Sequence, residues 1–152
     1  HAGVVVGLGG VAAHVLCKLP RNAEGYMGRL RCVQEISAVT AACMMVKTSV
    51  FKAVGGFDEE LKVAFNDIDL CMKVRKYGVK IVFTPYAELY HYESKSRGME
   101  DTPEKQLRFS REVNCFRRKW ERELLKGDPY YNPNLTLNNT DCSLRKQEKN
   151  GD

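Results

Sequence analysis

A chain of 152 residues is one ordinary domain, long enough to bury a real core. With 43% hydrophobic and 28% charged residues it is a globular sequence, not a disordered one, and no apolar run approaches the roughly 20 residues that a membrane span needs. A net charge of +5 selects no partner by itself, and with no RNP-type aromatic motif, zinc finger or Walker loop, nucleic acid is not an expected partner.

The opening HAGVVVGLGG has neither a methionine nor a basic n-region and reads as the interior of a longer protein. Cysteines at 17, 32, 43, 71, 115 and 142 form no CxxC pair and match no zinc spacing. Cys43 and Cys71 lie in apolar runs, where a thiol acts as a small hydrophobe. A reducing cytoplasm is the expected compartment. The triplets beginning at Asn134 and Asn138 match the glycosylation sequon and are read as chance matches.

In chain order, residues 3 to 8 read as a short strand ending in glycines. GLGG lacks the GxGxxG spacing and reads as a turn. Residues 11 to 35 carry turn signals at Pro20-Arg21-Asn22 and Gly25 and are expected to form a loop with a short helix. SAVTAACMMVK, from Ser37 to Lys47, suits a buried strand. Thr48 or Ser49 caps a short helix that ends at Val54, with Gly55 as its stop. Asn66 or Asp67 caps the next helix, whose apolar face is Leu70, Cys71, Val74 and Tyr77. Its C-terminus is basic, and Gly78 ends it. KIVFT reads as a strand, Pro85 as a turn and AELYHYE as a second strand by alternation. A long helix is expected from Pro103 to Leu125. Its apolar stripe is Phe109, Val113, Phe116, Trp120 and Leu124, and its basic face is either solvated or turned to anionic lipid head groups. The segment DPYYNPNLTL then packs back as an extended strap, frayed after about Leu144.

Five motifs occur in order: Ala41-Ala42-Cys43-Met44-Met45, Gly55-Gly56-Phe57-Asp58-Glu59, Asn66-Asp67-Ile68-Asp69-Leu70-Cys71, Pro85-Tyr86-Ala87, and His91-Tyr92-Glu93-Ser94 with Ser96-Arg97-Gly98. Together they resemble the second half of bacterial family 2 glycosyltransferases of the GT-A fold, rhamnosyltransferase-like members above all, over roughly residues 1 to 145. The resemblance implies an α/β fold: a partial GT-A (nucleotide-diphospho-sugar transferase) domain with a small mixed sheet, flanking helices and a long C-terminal amphipathic helix. Residues 1–145 would be the acceptor-side, base-bearing half, and 146–152 a frayed polar tail. Two departures stand out. The family's Glu-Asp pair is Asn66-Asp67 here, and no Asp-x-Asp of a nucleotide-binding half precedes Ala41.

By this resemblance Asp67 is the base of an inverting displacement; its alternative is a helix cap alone. His91 is implied as a ligand to the Mn²⁺ or Mg²⁺ that bridges the donor's diphosphate. Arg97, with Ser96, is implied as a diphosphate clamp. Asp58, Glu59, Asp69 and Tyr92 are candidates for the acceptor site; for the first two a solvated turn serves equally, and for Asp69 a first-turn charge. The implied partners are a nucleotide-diphospho-sugar donor and a saccharide or lipid-linked acceptor of a growing surface polysaccharide, with peripheral contact at the inner face of the membrane. Missing its first half, the chain is expected to be inactive alone and to form a homo-oligomer through exposed strand edges. The competing reading is a non-catalytic carbohydrate-binding or interaction module derived from such a domain.

Overall fold

The computed structural model describes residues 3–92 and 101–146. Val4–Val6 (β1) and Ala12–His14 (β2) form an antiparallel hairpin, with Val4 opposite His14 and Val6 opposite Ala12. The tight reversal between them passes through Gly7 and Gly9 at φ of 93° and 64°, a left-handed backbone that suits glycine. On its other edge, Val4 donates to the Ala38 carbonyl at 2.8 Å. A second antiparallel ribbon pairs Gln34–Glu35 (β3) with Val82–Phe83 (β4), Gln34 facing Phe83. Among the described residues the strands therefore form two small antiparallel ribbons rather than the expected mixed sheet, within a mixed α/β chain.

The helices are Thr48–Ala53 (α1), Asn66–Lys76 (α2), Pro103–Lys119 (α3) and Glu121–Lys126 (α4). The α3 helix starts as its sequence dictates: the Thr102 hydroxyl caps the Lys105 N–H, and Pro103 fills a first-turn position where no N–H is needed.

Because successive side chains of a strand point to opposite faces, β1 feeds two cores. Val4 and Val6 join Leu61, Ile68, Met72, Phe116 and Trp120 beneath α2 and α3. Val5 joins Leu8, Val15, Tyr131, Leu135 and Cys142 beneath the C-terminal strap. The strap is seated as expected: Gly9 donates to the Leu137 carbonyl, Leu16 donates to the Thr140 carbonyl, and Leu135 bridges Leu144. Asp128 anchors it, accepting from the Val6 N–H at 2.8 Å, the Ser37 hydroxyl at 2.6 Å and the Tyr130 N–H at 2.8 Å.

Four expectations are corrected. The Ser37–Lys47 run is not a buried strand: only Ser37 and Ala38 are buried and Val39 and Thr40 half-buried, before the chain turns through an exposed 3₁₀ turn at Ala41–Cys43. The Thr40 hydroxyl accepts the Ala42 N–H there, the local competition with strand pairing typical of threonine. AELYHYE alternates correctly, yet among the described residues it pairs with no strand; residues 87–92 are irregular and exposed. The segment 11–35 contains two strands, β2 and β3, and its only helical turn is a 3₁₀ turn at Tyr26–Gly28 rather than an α-helix. The long helix breaks at Trp120, whose φ of −115° and ψ of 22° end α3 and begin α4. Among the described residues no helix is long and apolar enough to cross a membrane, and all six cysteines are free.

Candidate active site

The site is built around the first turn of α2. Leu61 is fully buried and anchors the approach to it. The next two free N–H groups, of Val63 and Ala64, donate to the buried carboxylate of Glu112 on α3, at 3.2 and 2.8 Å. Phe65 then adopts a left-handed conformation, φ 64°. For a bulky side chain that is a strained state, costing on the order of 1–3 kcal/mol, which persists only when its surroundings impose it. Here the ring is held against Phe109 and Phe116, with centroids 5.8 and 5.3 Å away. The strained residue immediately precedes Asn66-Asp67 and sets the direction in which α2 departs.

Asp67 is half-buried. Its Oδ1 accepts the Ile68 N–H at 2.9 Å and its Oδ2 the Ala41 N–H at 3.0 Å, while the Asn66 side chain accepts Asp67's own N–H at 2.7 Å. The cap position itself belongs to Phe65, not to Asn66 or Asp67. The carboxylate is thus fixed at both oxygens, against the Ala41–Cys43 turn. That turn is part of the wall of an open cavity of about 1220 Å³. Met44, Cys71, Ile81 and Leu89 make much of the lining apolar, and His91 also lies on it. Burial pushes the Cys71 thiol up to about 11, so it stays protonated and is no nucleophile at neutral pH.

Two residues along a helix turn the side chain by about 200°, to the opposite face, so Asp69 points away from Asp67. It is fully buried. Its Oδ1 accepts the Trp120 indole N–H at 2.8 Å and lies 2.8 Å from Lys119 Nζ, and its Oδ2 lies 3.2 Å from Lys73 Nζ. The break in α3 explains how consecutive residues, Lys119 and Trp120, reach one carboxylate. Lys119 also binds Asp58, and Lys73 donates to the Gly56 carbonyl, so this network ties the Gly55–Asp58 loop to α2 and α3. The expectation that Asp69 shapes an acceptor site directly is therefore corrected: burial denies it a ligand. Asp58 is half-buried and engaged by Lys119, whereas Glu59 and Tyr92 are exposed. Ser96 and Arg97 lie outside the described residues. Tyr77, expected on the apolar face of α2, is exposed, and Ile68 and Met72 take its place.

The hydrogen bond from the Lys119 ammonium holds the Asp58 carboxyl below its ordinary value of 3.8, and the Glu60 N–H reinforces the shift. A lowered folded-state value stabilises the fold above the unfolded value, and that contribution is lost as pH falls through the folded one. Asp58→Asn is therefore expected to flatten the fall of the urea midpoint as pH drops below the ordinary carboxylate value of 3.8. An unchanged pH profile would show that the pair contributes nothing.

Glu112 went unrecognised at the sequence level. It sits three residues after Phe109 and four before Phe116, so an acid falls inside the apolar stripe. Glu112→Gln leaves one of its two N–H partners without an acceptor and is expected to cost about 1–3 kcal/mol. Amide hydrogen exchange should report it as faster exchange at Val63 and Ala64, with α4 unaffected.

Among the described residues no three histidine, cysteine or acidic side chains gather as a metal site. His91 alone is a single ligand, so these residues do not make a metal centre by themselves.

No family model and no solved structure matches the chain. An uncharacterized protein y4gI of Sinorhizobium fredii is 57% identical over 145 residues, 95% of this chain and 16% of that protein. The O-antigen biosynthesis protein RfbC of Myxococcus xanthus is 38% identical over 153 residues, all of this chain and 12% of that protein. An N-acetylglucosaminyl-diphospho-decaprenol L-rhamnosyltransferase of Mycobacterium tuberculosis is 36% identical over 62 residues, 41% of this chain and 20% of that protein. The chain thus spans a fifth or less of the length of these relatives. At the general level, the named relatives point to a glycosyltransferase-like family.

Proposed function

We propose that this chain is the acceptor-side, base-bearing part of a glycosyltransferase, with Asp67 as the general base. One observation carries the reading: a carboxylate fixed at both oxygens on the first turn of α2, one of them by the N–H of Ala41, which lines a cavity large enough for a sugar acceptor. A base that is already oriented loses little on binding substrate, and orientation is where much of the catalytic advantage of transfer lies. In this reading the acceptor hydroxyl gives its proton to Asp67 and its oxygen attacks the anomeric carbon of a nucleotide-diphospho-sugar. The bond to the diphosphate breaks as the new glycosidic bond forms, a single displacement with inversion. The named relatives support a saccharide or lipid-linked acceptor in surface polysaccharide assembly.

The groups that neutralise the leaving diphosphate are assigned to residues outside the described set, Arg97 and Ser96 among them, and to parts of a longer polypeptide. The chain by itself is then inactive. Its exposed apolar residues on the cavity side, Met45, Val82, Leu89 and Tyr90, favour self-association. Light scattering over a concentration series, run beside a nucleotide-sugar hydrolysis screen, tests this. An assembly without turnover is expected, and a monomer that hydrolyses a donor would overturn the reading.

A further inference from the structure

At the far end of α2, roughly 15 Å from Asp67 along the helix axis, lies a second cavity of about 520 Å³. Three separate segments bring cations to it: Arg75 and Lys76 from the last turn of α2, Lys80 from the approach to β4, and Lys126 from the end of α4. Lys80 is paired with Glu35 in an exposed ion pair, which solvent readily breaks. Arg75, Lys76 and Lys126 have no ion-pair partner among the described residues, in contrast to Lys73 and Lys119 nearby.

Arg75 and Lys76 are held in place by aromatic rings and a hydroxyl, with no carboxylate in direct contact among the described residues. The Arg75 guanidinium stacks 5.4 Å over Tyr130 and donates to the Ser37 hydroxyl at 3.1 Å. Lys76 Nζ lies 6.0 Å from the centre of the Trp120 ring. Such contacts orient a cation and leave its charge uncompensated. Helix dipoles explain why basic residues end α2 and α4, each helix end carrying about half a negative charge. They do not explain why two helix ends and a third segment converge around a hollow. Among the described residues the acidic side chain on the lining is Glu123, with Glu35 behind it on Lys80 and Asp128 behind the Ser37 hydroxyl. These offset much of the positive charge, but no described carboxylate is in direct contact with Arg75, Lys76 or Lys126, whose charged groups stay open to the cavity.

We infer that this cavity binds a phosphate group, held by Arg75, Lys76 and Lys126 and backed by Tyr130 and Trp120. A guanidinium fork flanked by two ammonium groups matches the oxygens of a phosphomonoester or diphosphate. The site is remote from Asp67 and independent of the transferase reading. The phosphate belongs either to a free phosphorylated compound or to an anionic lipid head group.

The test is calorimetric titration of the intact protein with inorganic pyrophosphate, beside flotation with vesicles of phosphatidylglycerol in phosphatidylcholine. The wild type is compared with the double substitution Lys76→Gln, Lys126→Gln. A second double substitution, Arg111→Gln, Arg118→Gln, removes the same charge from the α3 surface outside the cavity. The cavity pair is expected to weaken binding about tenfold or more, and the α3 pair to leave it within about twofold. Pyrophosphate binding without flotation assigns the site to a free compound; flotation lost only in the cavity pair assigns it to a head group. Absence of both in the wild type, or equal loss in the two double variants, would overturn the inference.

Discussion

Replacing Asp69 with alanine is expected to cost about 3–5 kcal/mol, because it removes one partner of a buried charge network and strands the others. The carboxylate is fully buried and gathers an indole N–H and two ammonium groups. Without it the Trp120 N–H loses its acceptor inside the core, Lys73 loses its ion-pair partner, and Lys119 keeps only Asp58. A loss of that size is a large part of the 5–15 kcal/mol that stabilises a typical domain. Asp69→Asn separates the two contributions. It keeps an acceptor for Trp120 but no charge, and an intermediate loss of about 2 kcal/mol is expected. Equilibrium urea unfolding of both variants at unchanged m-value checks this; a loss below about 1 kcal/mol for Asp69→Ala would show that the lysines are not held by this carboxylate.

The second large effect is on chemistry and leaves the fold nearly intact. Asp67→Asn keeps one carbonyl oxygen, which can accept either the Ile68 or the Ala41 N–H but not both. The expected stability loss is about 1 kcal/mol, and the urea midpoint checks it. The amide cannot take a proton, and removal of a positioned general base typically lowers turnover on the order of 10²–10⁴-fold. The two aspartates, two positions apart on one helix, are therefore expected to separate cleanly: Asp69→Ala to lose stability, and Asp67→Asn to lose turnover with little loss of stability.

That separation was half legible in the sequence. The helical period from Leu70 to Val74 located α2, and a shift of two residues puts Asp67 and Asp69 on opposite faces. What the period could not show was that Asp69's face meets Trp120, 51 residues later, at the break between α3 and α4 that brings Lys119 to the same carboxylate. Periodicity predicts one continuous helix from Pro103 to Leu125, and long-range polar contacts decided otherwise. The hairpin from Val4 and the strap to Leu144 were partly visible through glycine placement and the alternation of apolar residues. The Ser37–Lys47 and AELYHYE segments carry strand-like composition, yet strands form by pairing; among the described residues the first has only the Ala38 bridge to Val4 and the second has no partner. Glu112 and the left-handed Phe65 left only the faintest trace, an acid inside an apolar stripe, although both set the entry into α2.

The claim at the centre of this account is that Asp67 accepts the acceptor's proton. It is tested most directly by the single-turnover rate of sugar transfer from a panel of nucleotide-diphospho-sugars, measured with this chain in the longer polypeptide that supplies the diphosphate-neutralising groups, and on the Asp67→Asn variant of that polypeptide from matched preparations. The donor accepted by the wild type is expected to be turned over at least about 100-fold more slowly by the variant, with a urea midpoint close to wild type. A variant that transfers sugar at a near-normal rate would contradict it.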